Sequence, residues 1–261
     1  MKFNYEFLGN QDSMKGFFNY DNGFFRALDK LGSLFILNML TLLCSIPIIT
    51  IGTSFTALYY VTMKMVKDEE TYVTKDYFRS FRQNFKQATV IWLIFMIVAA
   101  VLFLDYRIAA ANIGTLPAAN IFIVIVIACS FFYAMALAYV FPVLAKFYNT
   151  IWQTIKNAAL MSIRHFPMTI AILFIDVIFL VITVAGLIRN GQSLIAPLYI
   201  CLGFAVPAYA NSYLFNRIFA NYIPVDEGAE TGSDEEYIAK LQSDPQTVTP
   251  ELETKAGEDE T

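Results

Sequence analysis

The sequence predicts an all-α fold, a polytopic transmembrane helical bundle, and three observations support this prediction. The chain of 261 residues is 57% hydrophobic and only 15% charged, whereas an average soluble domain is about 45–50% apolar and about 25% charged. The apolar residues are concentrated in blocks with almost no charge, at roughly 31–51, 88–104, 119–144, 168–188 and 194–215. Each block is close to the length of about 20 residues that a helix needs to span the hydrocarbon core of a bilayer.

These blocks predict five membrane spans, and the first block adds a sixth if it divides in two. The predicted spans lie near residues 27–46, 48–66, 88–108, 118–144, 167–188 and 194–216. We expect them to form three helical hairpins, together with cytoplasmic amphipathic helices. The membrane domain would then cover residues 1–224.

The first block contains a point at which the chain can turn back. Pro47 has no backbone N–H and ends or kinks a helix, and Gly52 follows it closely. One alternative is a hairpin of two short spans that turns between Pro47 and Gly52. The other is one straight span followed by a helix along the cytoplasmic interface. The hairpin keeps the N-terminus cytoplasmic, and basic residues before the block favour that side: Lys2, Lys15, Arg26 and Lys30.

The orientation of the later spans follows from Lys and Arg near their ends, which are retained on the cytoplasmic side. Segments 64–86 and 145–166 are rich in these residues, whereas the short connections 105–117 and 189–192 hold one arginine each. The C-terminus is therefore predicted to be cytoplasmic as well. A weak internal repeat supports tandem hairpins, because similar residues recur 82 positions apart: Ser80 and Ser162, Arg82 and Arg164, Arg107 and Arg189, Pro142 and Pro224.

Residues 75–87 have the pattern of an amphipathic helix at the membrane surface. Three aromatic residues recur at helical spacing, and three basic residues recur at the same spacing about 100° further round: Phe78, Phe81 and Phe85, then Arg79, Arg82 and Lys86. Such a helix places its rings at the acyl boundary and its basic groups toward anionic lipid. It either only sets the orientation of the next span or also forms a docking surface for a partner.

The last part of the chain differs sharply in charge from the rest. Residues 225–261 hold 2 Lys and 12 Asp or Glu, whereas residues 1–224 hold 16 Lys or Arg and 10 Asp or Glu. This segment has few large apolar residues and cannot bury a core, so it is predicted to be a disordered, acidic cytoplasmic tail. No nucleic-acid partner is expected.

Two polar residues within predicted spans are candidates for a functional site. Asp176 is the acidic residue nearest the centre of a clear span, and Asn38 lies in the first span. Charges within the bilayer are costly and often mark a solute or proton path. Asp176 could bind a proton or a cation, or accept a hydrogen bond from a hydroxyl group. Either residue could instead bond polar side chains of neighbouring helices in a purely structural role.

Features typical of enzymes and metal sites are missing from the sequence. It contains no GxxxxGK[ST] phosphate loop, no HExxH and no GxSxG elbow, the motifs that bind nucleotides, zinc or an acyl group. The three cysteines are isolated from one another and His165 is the single histidine, which makes a metal site improbable. The sequence therefore predicts a protein that is not an enzyme and needs no cofactor.

The segment 46–92 resembles the YesL family of bacterial integral membrane proteins. The similarity lies in Pro-x-x-Thr-x-Gly, then Ala-Leu-Tyr-Tyr, then Phe-Arg-Ser-Phe-Arg-x-Asn-Phe-Lys-Gln-Ala, and segments 141–147 and 154–167 agree with it. The resemblance covers about 1–224. It implies no biochemical activity. It does imply a setting, because genes of this family tend to lie beside genes for carbohydrate ABC transporters and polysaccharide degradation in Gram-positive bacteria.

Three functions follow as hypotheses, all in the bacterial plasma membrane. The first is a non-enzymatic accessory component of a carbohydrate ABC uptake or sensing system, with permease subunits and the lipid bilayer as partners. The second is a stand-alone small-solute transporter that uses Asp176. The third is a scaffold for membrane assembly.

Overall fold

The computed structural model describes residues 23–69, 71–113, 117–188 and 202–223, and this part of the chain is helical without strands. Seven α-helices follow one another along it: α1 (Gly23–Cys44), α2 (Ile51–Val66), α3 (Val73–Ala111), α4 (Pro117–Lys146), α5 (Ile151–Arg164), α6 (Phe166–Ile188) and α7 (Ala205–Phe219). The all-α prediction is therefore confirmed for the described residues. The predicted acidic tail, 225–261, and the first part of the predicted span 194–216 lie outside them.

Two of these helices are long and apolar enough to cross a membrane. They are α3, with 39 residues, and the part of α4 from Ala119 to Lys146. A third span is present if α5 and Phe166–Ile182 of α6 count as one, although they are bent by 101° at the junction. The structure therefore supports a membrane protein, with two or three candidate spans among the described residues by length and composition. The predicted five or six spans and their arrangement as hairpins are not confirmed.

Local sequence signals explain where several helices begin. Thr150 and Gln153 form a capping box at the start of α5, in which each side chain accepts from the backbone N–H of the other. Pro167 lies in the first turn of α6, where its missing N–H costs nothing. His165 lies at the bend between the two helices.

The chain breaks between α1 and α2 at the predicted proline. After α1 ends at Cys44, Pro47 is extended and precedes a short 3-10 turn, Ile48–Thr50. The Thr50 hydroxyl donates to the carbonyl oxygens of Cys44 and Pro47, at 2.6 and 2.7 Å. Gly52 lies inside α2 and not in the turn, so its role is in helix packing.

Helix α2 lies at the centre of the described bundle and contacts α1, α3, α4 and α7. Eleven of its 16 residues are buried, four of which are Ser or Thr. The hydroxyls of Thr56 and Thr62 donate to carbonyl oxygens one turn earlier, at 2.9 and 3.0 Å. Buried hydroxyls of this kind are satisfied within their own helix, and the small side chains let neighbouring helices approach closely.

Helix α2 packs beside the basic first part of α3, running in the opposite direction. Thr53 Oγ1 lies 3.3 Å from Thr89 Oγ1, and Lys64 Nζ lies 3.5 Å from Asp76 Oδ2. Two helices that pack against each other along their length lie at the same depth in a membrane. The predicted span 48–66 and the predicted interfacial helix 75–87 are therefore incompatible with each other in this structure.

Length and charge bear on these two predictions. At about 1.5 Å per residue, the 16 residues of α2 rise about 24 Å, which is less than the hydrocarbon thickness of about 30 Å. Exposed arginines within the hydrocarbon would be costly, and Arg79 and Arg82 are exposed on α3. Helix α2 is therefore shorter than a membrane span in this structure, and its apolar side chains are buried by other helices.

Candidate functional site

A cavity of about 550 Å³ opens between α2, α3, α4, α6 and the start of α7. Nine of its lining residues are aliphatic, glycine or proline. Six others carry aromatic rings: Phe55, Tyr59, Trp92, Phe141, Phe179 and Phe204. Asp176 is the single charged residue among the described residues that line it. The cavity is thus a largely apolar, aromatic space with one carboxyl group in its wall.

The Asp176 carboxyl group is held in place by an amide from α7. Asn211 Nδ2 donates to Asp176 Oδ1 at 2.8 Å. Asn211 is fully buried, and its own Oδ1 has no hydrogen-bond partner among the described residues. Tyr59 of α2 is also buried. It lies close enough to Asp176 for the two groups to interact electrostatically, and it is within reach of the Asn211 side chain. Three helices therefore bring three polar side chains together.

Further polar contacts tie α7 to the central helix. The hydroxyls of Thr62 and Ser212 lie 2.8 Å apart, and Asn216 Nδ2 donates to the carbonyl oxygen of Met63 at 3.0 Å. The sequence did not lead us to predict a role for Asn211, Ser212 or Asn216. The available signal was the occurrence of two amides and a serine within an otherwise apolar block.

Asn38 has a different position from Asp176. It is fully buried on α1, and its Oδ1 accepts from the backbone N–H groups of Phe204 and Ala205, at 2.8 and 3.0 Å. These N–H groups lie at the start of α7 and have no partner within that helix. Asn38 is not among the residues that line the cavity, but it holds the backbone of Phe204, which is.

The predicted docking residues lie on the first part of α3, and we call them the basic face: Phe78, Arg79, Phe81, Arg82, Phe85 and Lys86. All of them are exposed except Phe81, which is half-buried. The Phe81 ring stacks on Tyr77, with centroids 6.2 Å apart, and also contacts Phe85. Because α3 is continuous from Val73 to Ala111, the basic face lies on the same rigid helix as the apolar span.

The described residues contain no group of three or more His, Cys, Asp or Glu that could hold a metal ion. Cys44 and Cys129 are free thiols, and Cys201 lies outside the described part of the chain.

A comparison with protein families supports the resemblance to the YesL family over one part of the chain. Residues 34–106 match the family described as "Protein of unknown function, DUF624", to which YesL-like proteins belong. The match covers α2 completely, together with the second half of α1 and most of α3. Neither the curated proteins nor the solved structures contain a match to this chain.

Proposed function

We propose that this chain is a non-enzymatic membrane protein that binds a small solute in the Asp176 cavity, as a stand-alone transporter does. The observation that carries this proposal is the single carboxyl group in an otherwise apolar wall. A volume of about 550 Å³ lies within the range of about 300–1,000 Å³ of ligand sites, which are mostly apolar with a few polar groups that orient the ligand.

The wall of the cavity comes from helices that are distant in sequence. Gly203, Phe204, Pro207 and Ala208 come from the start of α7, while Phe141 and Trp92 come from the two long apolar helices. A relative movement of α6 or α7 would therefore change access to Asp176. This arrangement is suited to a carrier, in which a site near the membrane centre is formed by discontinuous helices.

As a topology, we propose that α3 and α4 cross the bilayer with their basic ends, near Lys86 and Lys146, on the cytoplasmic side. The lysines and arginines at these ends obey the positive-inside rule. Helix α6 would provide a further crossing, while α1 and α2 form a hairpin at the cytoplasmic boundary.

Filling the cavity should prevent solute binding. Ala138 lines the cavity, and Ala138→Phe should abolish saturable quenching of tryptophan fluorescence by 1-bromo-4-neopentylbenzene, an uncharged bromine probe. Trp92 lines the cavity and Trp152 is 74% exposed, so the assay uses Trp152→Phe as the background, in nanodiscs of zwitterionic lipid.

Ala100→Phe is the matched control for this substitution, because Ala100 is exposed on α3. It should leave the quenching curve unchanged. Equal quenching in all three proteins would show that the probe reaches Trp92 through lipid, and it would refute a solute site in the cavity.

We propose, second, that the basic face serves an accessory role in carbohydrate uptake, by docking on anionic lipid or on a permease subunit. The exposure of Phe78 and Phe85, at 40% and 38%, and of the basic residues between them favours this proposal. The carbohydrate itself is suggested by the family resemblance alone.

Reversing the charge of the basic face should weaken its binding to anionic lipid. Arg79→Glu, Arg82→Glu and Lys86→Glu together should lower the number of phosphatidylglycerol molecules retained in native mass spectrometry, because each basic residue at the surface contributes about 1 kcal/mol of attraction. The control is the charge-conserving triple variant Arg79→Lys, Arg82→Lys and Lys86→Arg. Unchanged lipid retention with lost growth on a polysaccharide would indicate a protein partner, and no change in either would refute docking.

A further inference from the structure

We infer that the solute of the Asp176 cavity is an organic cation, an ammonium group carried on an apolar body. This inference rests on the proposed function and specifies its solute. It is carried by one carboxyl group that faces a cavity walled by aromatic rings. Neither feature alone would select a cation, but a carboxylate and several aromatic rings around one space can attract the same charge.

The Asp176 carboxyl group has no positively charged partner among the described residues. Among the residues that the structure describes, Asp176 forms no ion pair with Lys, Arg or His, and its polar contact is the neutral amide of Asn211 at 2.8 Å. Asp176 is half-buried, and a carboxylate without a counter-charge becomes more costly as water is excluded from it. A cation in the cavity would supply the counter-charge that the described residues do not provide.

The aromatic residues form a connected wall around this space. The ring of Phe55 lies edge-on to Phe204, with centroids 5.7 Å apart, and 6.5 Å from Phe141. Phe141 in turn lies 6.1 Å from Trp92. The faces of such rings attract ammonium groups, most strongly when the site excludes water, and aromatic cages of this kind bind quaternary ammonium ligands.

The same lining disfavours the other solute classes. An anion would be repelled by Asp176. A sugar needs many hydrogen-bond partners, but Trp92 Nε1 already donates to the carbonyl oxygen of Ile48 at 2.8 Å. The other polar side-chain groups of the described lining residues are the Asp176 carboxyl group and the Tyr59 hydroxyl, and Asp176 already accepts from Asn211. Unpaired sugar hydroxyls in such a site would each be penalised, whereas the apolar body of an amphiphile would not.

A pair of probes that differ only in charge tests this inference. 4-Bromobenzyl-trimethylammonium is a cation, and 1-bromo-4-neopentylbenzene has the same shape with carbon in place of the charged nitrogen. Titrated into the Trp152→Phe protein in zwitterionic nanodiscs, the cation should reach half-maximal quenching of Trp92 at a concentration at least about tenfold lower than the neutral probe. This comparison needs no change in the cavity and does not depend on the folding of a site variant.

A second variant assigns the preference to the carboxyl group. Asp176→Asn should bring the two half-maximal concentrations to within about twofold of each other, whereas Asp176→Glu should retain the preference for the cation. If both probes quench Trp92 saturably with equal midpoints, the inference is wrong and the proposed solute site remains. If neither probe quenches saturably, or Ala138→Phe has no effect on either curve, the proposed site itself is wrong and the inference fails with it.

Discussion

Replacing Gly52 by alanine is expected to lower the free energy of unfolding by about 1–3 kcal/mol, although alanine is the better helix former. A Cβ atom at this position would lie 2.7 Å from Trp92 Cβ, 2.9 Å from the Ala88 carbonyl oxygen and 2.9 Å from Phe141 Cε1. The first two of these atoms belong to the backbone of α3 or are fixed to it, so α2 and α3 would have to separate. Since Trp92 and Phe141 line the cavity, its shape should change too.

The matched control is Gly32→Ala on α1. A Cβ atom at Gly32 would have no atom within 4 Å, so the same substitution should be neutral or raise helix stability by up to about 1 kcal/mol. Thermal unfolding of the two purified variants in the same detergent provides the comparison. An equal midpoint for both would mean that the close approach of α2 and α3 at Gly52 does not contribute to stability.

Replacing Asn38 by alanine is expected to cost a similar amount, about 1–3 kcal/mol, for a different reason. The side-chain oxygen accepts two backbone hydrogen bonds at the start of α7, and Asn38 is fully buried. Alanine would leave both N–H groups without this acceptor and would also create a small void. Because Phe204 lines the cavity, the variant should also weaken quenching of Trp92 by the bromine probes.

Asn120→Ala is the control for this substitution, since Asn120 is exposed on α4 and its loss should change stability by no more than about 0.5 kcal/mol. Both variants would be unfolded thermally and titrated with the probes. Loss of stability without any change in quenching would restrict Asn38 to the packing of α1 against α7. Unchanged stability would show that the start of α7 does not depend on this side chain.

The sequence alone was sufficient for the properties that depend on local pattern. Long apolar blocks indicated a helical membrane protein, and Pro47 marked the break after α1, because a proline disrupts helical hydrogen bonding wherever it occurs. The spacing of aromatic and basic residues placed the basic face on one helix, and five of its six side chains are exposed. Asp176 stood out because a charged residue is rare within an apolar block.

The tertiary structure alone decided which apolar segments face other helices. Hydropathy gives the same signal for a helix surrounded by lipid and for one surrounded by protein, which is why α2 was predicted as a span although it is the buried centre of the described bundle. The partners of the polar residues could not be predicted either: Asn211 binds Asp176 from 35 positions away, and Asn38 binds Phe204 from 166. The cavity, the close approach at Gly52 and these hydrogen bonds depend on side chains that meet only when the helices pack, and no local pattern encodes that geometry.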